Sequence, residues 1–168
     1  LVALGLLLRD DAGIYSNAPD AAVFLDRNKP SYVGGLLEMA NARLYGFWGD
    51  LDEALVTGKP QSELKHGGSF VGNLYSDPVK LKTFLSAMTG LSAGTAQAMA
   101  KKFPWADYKS VIDIGAAQGV MPATLALAHE HLKVGGFDLP AVAPVFADYM
   151  TSLGLGERRF CHWHGYGC

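Results

Sequence analysis

Two glycines and a carboxylate carry the clearest chemical signal in this sequence. Gly115 and Gly119 frame the run Val111-Ile112-Asp113-Ile114-Gly115-Ala116-Ala117-Gln118-Gly119, and Asp138 follows one helix and one strand later. Small residues at 115–117 and at 119 let a ligand press against the backbone, because larger side chains would fill that space. A helix starting at this turn offers N–H groups that have no partner within the helix. A carboxylate just past the next strand can accept hydrogen bonds from the 2′- and 3′-hydroxyls of a ribose. Asp113, inside the strand before the turn, is placed either to hold the loop backbone or to approach an amino group of the ligand.

The same residues exclude two common nucleotide sites. A dinucleotide fingerprint needs glycines at Ala117 and near Val120, and neither is present. A phosphate-cradling loop ending in Gly-Lys-Ser or Gly-Lys-Thr is also missing. Turn and carboxylate together therefore fit a nucleoside that needs no phosphate recognition, which is what S-adenosyl-L-methionine presents. Gly115 and Gly119 alone would suit an ordinary strand-to-helix turn; Asp138 tips the balance toward a ligand. Two readings from other classes stand beside this one. A nucleotide-binding Rossmann oxidoreductase needs phosphate donors that this loop lacks. A non-enzymatic winged-helix ligand-binding regulator needs a basic recognition helix, and the basic residues here are scattered.

The elements that must position these residues follow from pattern. Leu4–Arg9 and Ile14–Ser16 flank a polar turn with Gly13 and predict a hairpin. Pro19 starts a short helix. Apolar spacing over 32–56 predicts helices, with Gly46 and Gly49 breaking or bending them. Residues 57–62 and the glycine-rich 65–72 read as loops. Helical spacing returns over 78–103, with Gly94 dividing it into two helices. The run at 111–114 reads as a buried parallel strand. Helix 119–131, strand 134–137 and helix 139–153 complete the start of a doubly wound α/β domain, with a boundary near residue 105.

With 49% hydrophobic and 18% charged residues, the 168-residue chain belongs among globular proteins rather than disordered ones. Its net charge of −2 argues against a nucleic-acid partner. The longest apolar run, residues 4–8, is too short for a membrane span. The start at Leu1 reads as internal, without a secretory leader. Cys161 and Cys168, confined to the end, cannot form a disulfide framework, so a reducing, cytoplasmic setting is expected.

Residues 111–119 resemble the first cofactor-binding motif of class I methyltransferases. Phe137-Asp138-Leu139-Pro140 resembles the acidic second motif of the plant caffeate and hydroxyindole (acetylserotonin) O-methyltransferase type. The hairpin with Pro19 is similar to the wing of that family's winged-helix dimerisation domain. Phe84, Met88 and Ser92 resemble its cofactor-touching helix, and Trp48 with Thr57-Gly58 matches a further stretch. The resemblance covers residues 1–157. It implies a Rossmann-like methyltransferase domain preceded by a mainly helical region: a wing remnant at 1–30, helices at 31–104, the start of the cofactor domain at 105–157 and an atypical tail at 158–168.

It further implies that S-adenosyl-L-methionine is held by Gly115, Asp138, Asp113, Ala116, Gly119, Leu139, Met88 and Ser92. The reaction implied is methyl transfer to a hydroxyl of a small, aromatic or secondary-metabolite acceptor by a homodimer. The family's catalytic histidine and acidic partners lie downstream of residue 168, so no catalytic residue is assigned. Cofactor contacts without efficient turnover are expected of this chain. Ala116-Ala117-Gln118 departs from the family's Gly-Gly-Gly. At 158–168 the composition reads as a frame-shifted or divergent end. Cys161, His162, His164 and Cys168 could supply zinc ligands, but their spacing fits no common paired-ligand pattern and no metal is expected. His129 and His131 are read as helix-end cations, and His66 as a solvated loop residue.

Overall fold

The computed structural model describes residues 1–29, 31–65, 67, 69–156 and, by its backbone, the strand at 159–163. At the N-terminal end β1 (Leu7–Arg9) and β2 (Tyr15–Asn17) pair antiparallel with Arg9 opposite Tyr15. Their turn closes because Asp10 Oδ1 accepts the Ile14 N–H at 2.8 Å. This is the hairpin that the pattern predicts. It leads into α1 (Pro19–Phe24), with proline at its first turn.

Helix α2 (Gly35–Met39) runs through a π-helical turn, Ala40–Leu44, into α3 (Tyr45–Gly49). Gly46 does not break this run; the interruption falls at Asp50, after which α4 (Leu51–Thr57) begins. Helix α5 (Phe70–Tyr75) is capped by the Ser69 hydroxyl, which accepts from the Gly72 N–H at 2.9 Å.

The region 78–103 differs from the sequence reading. It forms one 25-residue helix, α6 (Pro78–Lys102), that passes through Gly90 and Gly94. Asp77 Oδ1 caps it by accepting from the N–H groups of Val79 and Lys80 at 2.9 and 3.1 Å. Gly90 is a contact point: a Cβ there would lie 3.3 Å from the Val33 Cα. A Cβ at Gly35 would lie 3.3 Å from the Ser86 carbonyl oxygen on the same helix. Close packing of α2 on α6 offsets the roughly 1 kcal/mol by which each helical glycine disfavours the helix.

Beyond Trp105 comes a three-stranded parallel sheet, β3 (Ser110–Ile114), β4 (Lys133–Asp138) and β5 (Arg159–Trp163), in the order β3-β4-β5. Helix α7 (Val120–Ala128) connects β3 to β4, and α8 (Ala143–Ser152) lies between β4 and β5. Asp113 stands opposite Gly136, and Val134 opposite Arg159. Residues 159–163, read from composition as part of an atypical tail, thus form a strand. Pairing with β4 satisfies backbone groups that composition does not reveal. Helix α7 stops at Ala128, so His129 and His131 lie past it. Their Nε2 atoms sit 2.8 Å from the Ala100 carbonyl and 3.1 Å from the Trp105 carbonyl, tying this loop to the end of α6 and the start of the sheet region.

Phe146, Leu125, Leu132, Val134 and Met150 are fully buried and form the core beside the sheet. A second cluster, Leu81, Leu85 and Val142 with Leu139 packed against it, joins α6 to the start of α8. This cluster lays α6 alongside the turn that follows β3. Among the described residues no helix is long and apolar enough to cross a membrane.

Candidate functional site

The turn after β3 is shaped by its backbone and fastened to β4. Gly115 adopts φ +78°, a conformation costly for residues with a Cβ. Its N–H donates to the Phe137 carbonyl at 2.8 Å, and the Gly119 N–H closes the turn on the Ala116 carbonyl at 2.8 Å. Ala117 takes φ +50°, the one non-glycine residue with positive φ among those described. Its N–H is aimed at Asp138, whose Oδ2 accepts it at 2.8 Å. Asp138 Oδ1 accepts the Leu139 N–H at 2.7 Å. These bonds fix the carboxylate, 5% exposed, at the end of β4. Each carboxylate oxygen has a further lone-pair direction, so two hydroxyls can still bind.

Gly115, Ala116, Asp113, Asp138, Met88 and Ser92 come together around one cavity of about 450 Å³ between α6 and this turn. The Ser86 hydroxyl, 3.4 Å from Gln118 Oε1, links the same helix to the turn. Gly119 and Leu139 are placed elsewhere. A Cβ on Gly119 would fall 2.7 Å from Phe146 Cε2, and one on Gly136 would fall 2.6 Å from the same atom. Glycine at 119 therefore leaves room for the ring of Phe146. Leu139 follows Asp138 and packs into the cluster with Leu81 and Leu85.

Sequence reasoning did not single out Tyr75, Thr89, Ala117, Val120 and Met121 as site residues, although they also line the cavity. Thr89 and Val120 had a usable signal, one being a helical neighbour of Ser92 and the other the first residue after the glycine turn. Ala117 had the weaker signal of a small residue where a backbone must turn. A larger cavity, about 660 Å³, opens elsewhere beside Met39, Arg43, Glu63 and Lys80. It has no glycine turn and is lined by neither Asp113 nor Asp138. His66, His164 and Cys168, with the side chains of Cys161 and His162, lie outside the described residues.

Asp113 lines the cavity beside the glycine turn and is partly buried. Burial, and next the charge of Asp138, push its carboxyl above the ordinary carboxylate range. A carboxyl raised by folding favours the folded state below its unfolded value, about 3.9, and loses that contribution as pH climbs through the folded value. Asp113→Asn is therefore expected to raise the melting temperature at neutral pH and to leave it unchanged near pH 3. Thermal melts at the two pH values check this, and an unchanged or lower value at neutral pH contradicts it.

Comparison with known proteins agrees with the geometry. Residues 48–165 match the family model of the O-methyltransferase domain. The tetracenomycin polyketide synthesis 8-O-methyl transferase TcmO of Streptomyces glaucescens is 43% identical over 153 residues, covering 91% of this chain and 44% of that protein. The N,N-dimethyltransferase OxyT of Streptomyces rimosus is 36% identical over 162 residues, covering 95% of this chain and 47% of its own length. The chain thus spans about half the length of the curated relatives it matches. Among solved structures, an O-methyltransferase from neocarzinostatin biosynthesis, in complex with S-adenosylmethionine and 2-hydroxy-5-methyl naphthoic acid, superposes with a TM-score of 0.67. It is 28% identical, with 97% of this chain and 50% of that one covered. Because the family match runs from Trp48 through the glycine turn and Asp138 to the third strand of the sheet, the chain belongs to the O-methyltransferase domain family.

Proposed function

We infer that this chain carries the S-adenosyl-L-methionine-binding part of an O-methyltransferase acting on a hydroxyl of a small aromatic secondary metabolite. The observation that carries this reading is the Asp138 carboxylate. It is buried, fastened by the N–H groups of Ala117 and Leu139, and set beside a turn that offers a nucleoside room but lacks the glycines of a phosphate site. The names of the relatives support the substrate class, since TcmO acts in polyketide synthesis and the neocarzinostatin enzyme is bound to a naphthoic acid.

The cofactor supplies an electrophilic methyl group when bound. The chain's own residues bind and orient. Asp138 takes the ribose hydroxyls, Gly115 and Ala116 let the ligand lie against the backbone, and Met88 offers a polarizable thioether from α6. Phe84, Leu85 and Met121 give that part of the cavity apolar walls. Holding donor and acceptor in line is worth several kcal/mol of barrier in such transfers, of order 7–11 in well-oriented cases. The hairpin β1–β2 with α1 reads as the wing of a winged helix, and exposed Leu4, Leu8, Ile14 and Phe24 support a face used in homodimer assembly.

Calorimetric titration of the chain with S-adenosylhomocysteine, and in parallel with NAD⁺, tests the cofactor assignment. Saturable binding of the first and none of the second is expected. A folded chain that ignores S-adenosylhomocysteine, or prefers NAD⁺, overturns the assignment.

A further inference from the structure

Arg43 is a charged side chain that folding largely removes from water without engaging all its donors. It sits in the π-helical turn between α2 and α3, and its side chain is 16% exposed. Its Nε donates to Glu63 Oε1 in an ion pair, one η nitrogen rests 3.9 Å from the Met39 sulfur, and the guanidinium lies over the Phe70 ring at 5.5 Å. Burial pushes the Glu63 carboxyl up, but the hydrogen bond and charge of Arg43 prevail and hold it below the ordinary carboxylate range, so the pair is ionised at neutral pH. A guanidinium carries five N–H donors. Glu63 takes one, a thioether is a weak acceptor, and Arg43 makes no other hydrogen bond among the described residues. Buried donors without acceptors disfavour folding, so an acceptor is called for.

The cavity wall shows where one can enter. Arg43 lines the cavity of about 660 Å³ together with Glu63 and Lys80. Among the described residues these are the charged groups on its wall, with one positive charge in excess. Asp77 Oδ2 lies 3.7 Å from Lys80 Nζ, but Asp77 is outside the lining and the Lys80 side chain is 61% exposed, so water screens that contact. Met39, Phe47, Leu74 and Val79 make the rest of the wall apolar. The volume is within the usual range for small-molecule pockets, and apolar walls with a few fixed polar groups suit an aromatic molecule with one anionic end. A carboxylate matches the two η nitrogens of the fork, the edge that Glu63 leaves open.

This cavity also stands next to the cofactor cavity. Lys80 lines the first and Phe84 the second, one turn and roughly 6 Å apart along α6. Leu74 and Ser76 line the first, while Tyr75 between them lines the second. A molecule of two or three fused rings spans that distance, with its hydroxyl toward the methyl donor and its far end beside Arg43. We propose that the acceptor is an aromatic carboxylic acid, and that Arg43, positioned by Glu63, selects it by binding the carboxylate. That this ligand is the methyl acceptor rests on the methyltransferase reading given above; the carboxylate site itself does not.

Fluorescence titration of the chain with anthracene-2-carboxylate and with its neutral amide, anthracene-2-carboxamide, tests this. Both rings adsorb alike to apolar surface, so the ratio of their affinities is the readout. The acid is expected to bind about tenfold more tightly than the amide, the usual effect of a hydrogen bond between charged groups. Arg43→Met combined with Glu63→Gln removes both charges together, leaving no lone carboxylate buried, and is expected to abolish the preference. Arg43→Lys keeps the charge but not the fork and is expected to retain only part of it. Ala42→Phe narrows the cavity and is expected to weaken both probes. S-adenosylhomocysteine binding is expected to stay at the parent value in all three variants, because none of these residues lines the cofactor cavity. Equal affinities of the parent for the two probes, or an undiminished preference in either Arg43 variant, overturn the proposal. So does parent-like binding of both probes to Ala42→Phe, which would place them on another surface. A parent chain that prefers the acid but ignores S-adenosylhomocysteine would uphold the Arg43 site and overturn only the role of its ligand as methyl acceptor.

Discussion

Gly119→Ala is expected to destabilise the chain by about 3 kcal/mol. Two independent costs add. At φ +97° a residue with a Cβ is disfavoured by about 1–2 kcal/mol. The new methyl would also meet the ring of Phe146 at 2.7 and 2.8 Å, and overpacking of this kind costs about 1–3 kcal/mol. The ring is fully buried and also lies against Gly136, so it has little room to retreat. Urea denaturation of parent and variant measures the change. Adding Phe146→Leu to Gly119→Ala should recover the overpacking part but not the backbone part, so the two changes should be non-additive. A loss below about 1 kcal/mol for Gly119→Ala would show that the turn relaxes and that the contact with Phe146 does not dictate glycine.

Asp138→Ala is expected to weaken S-adenosylhomocysteine binding by about 1–3 kcal/mol, which is up to roughly a hundredfold. Two effects act together. The ribose hydroxyls lose their acceptor, and the N–H groups of Ala117 and Leu139 lose the oxygens that hold them at 2.8 and 2.7 Å. The turn that presents Gly115 and Ala116 to the ligand therefore loosens as well. Because both ligands carry the ribose, 5′-methylthioadenosine, which has the nucleoside but not the amino-acid end, should lose as much affinity as S-adenosylhomocysteine. Thermal melts should fall in parallel, since two backbone donors are left without a protein partner. Asp138→Asn keeps one acceptor oxygen and should fall between the two. Parent-like affinity in a folded Asp138→Ala chain would remove Asp138 from the site.

How far the chain could be read before its structure depends on whether a feature is local. The strand-turn-helix at 111–119 was legible because an apolar run, a cluster of small residues and a helical spacing lie next to one another in sequence. The hairpin at β1 and β2 was legible for the same reason, with Asp10 and Gly13 marking its turn. Asp138 could be named because it stands just past the strand that follows the glycine turn, where a carboxylate can meet ribose hydroxyls.

Other features were decided by contacts between segments far apart. Gly94 reads as a helix breaker, yet α6 runs through it and through Gly90, because Gly35 of α2 approaches the Ser86 and Ala87 backbone and Gly90 approaches that of Val33. Gly119 reads as a ligand-facing glycine, but the space beside it is taken by Phe146, many residues downstream. The strand at 159–163 was hidden by its composition and is fixed by pairing with β4.

The sequence by itself determined that Gly115, Asp113 and Asp138 are groups suited to a ligand without phosphate, since residue type and order alone say which groups are available. Only the tertiary structure decided that those groups share a cavity with Met88 and Ser92, and that Leu139 packs into the cluster with Leu81 and Leu85. The physical reason is that periodicity tells which face of an element is apolar, whereas what that face meets is set by packing between elements distant in the chain.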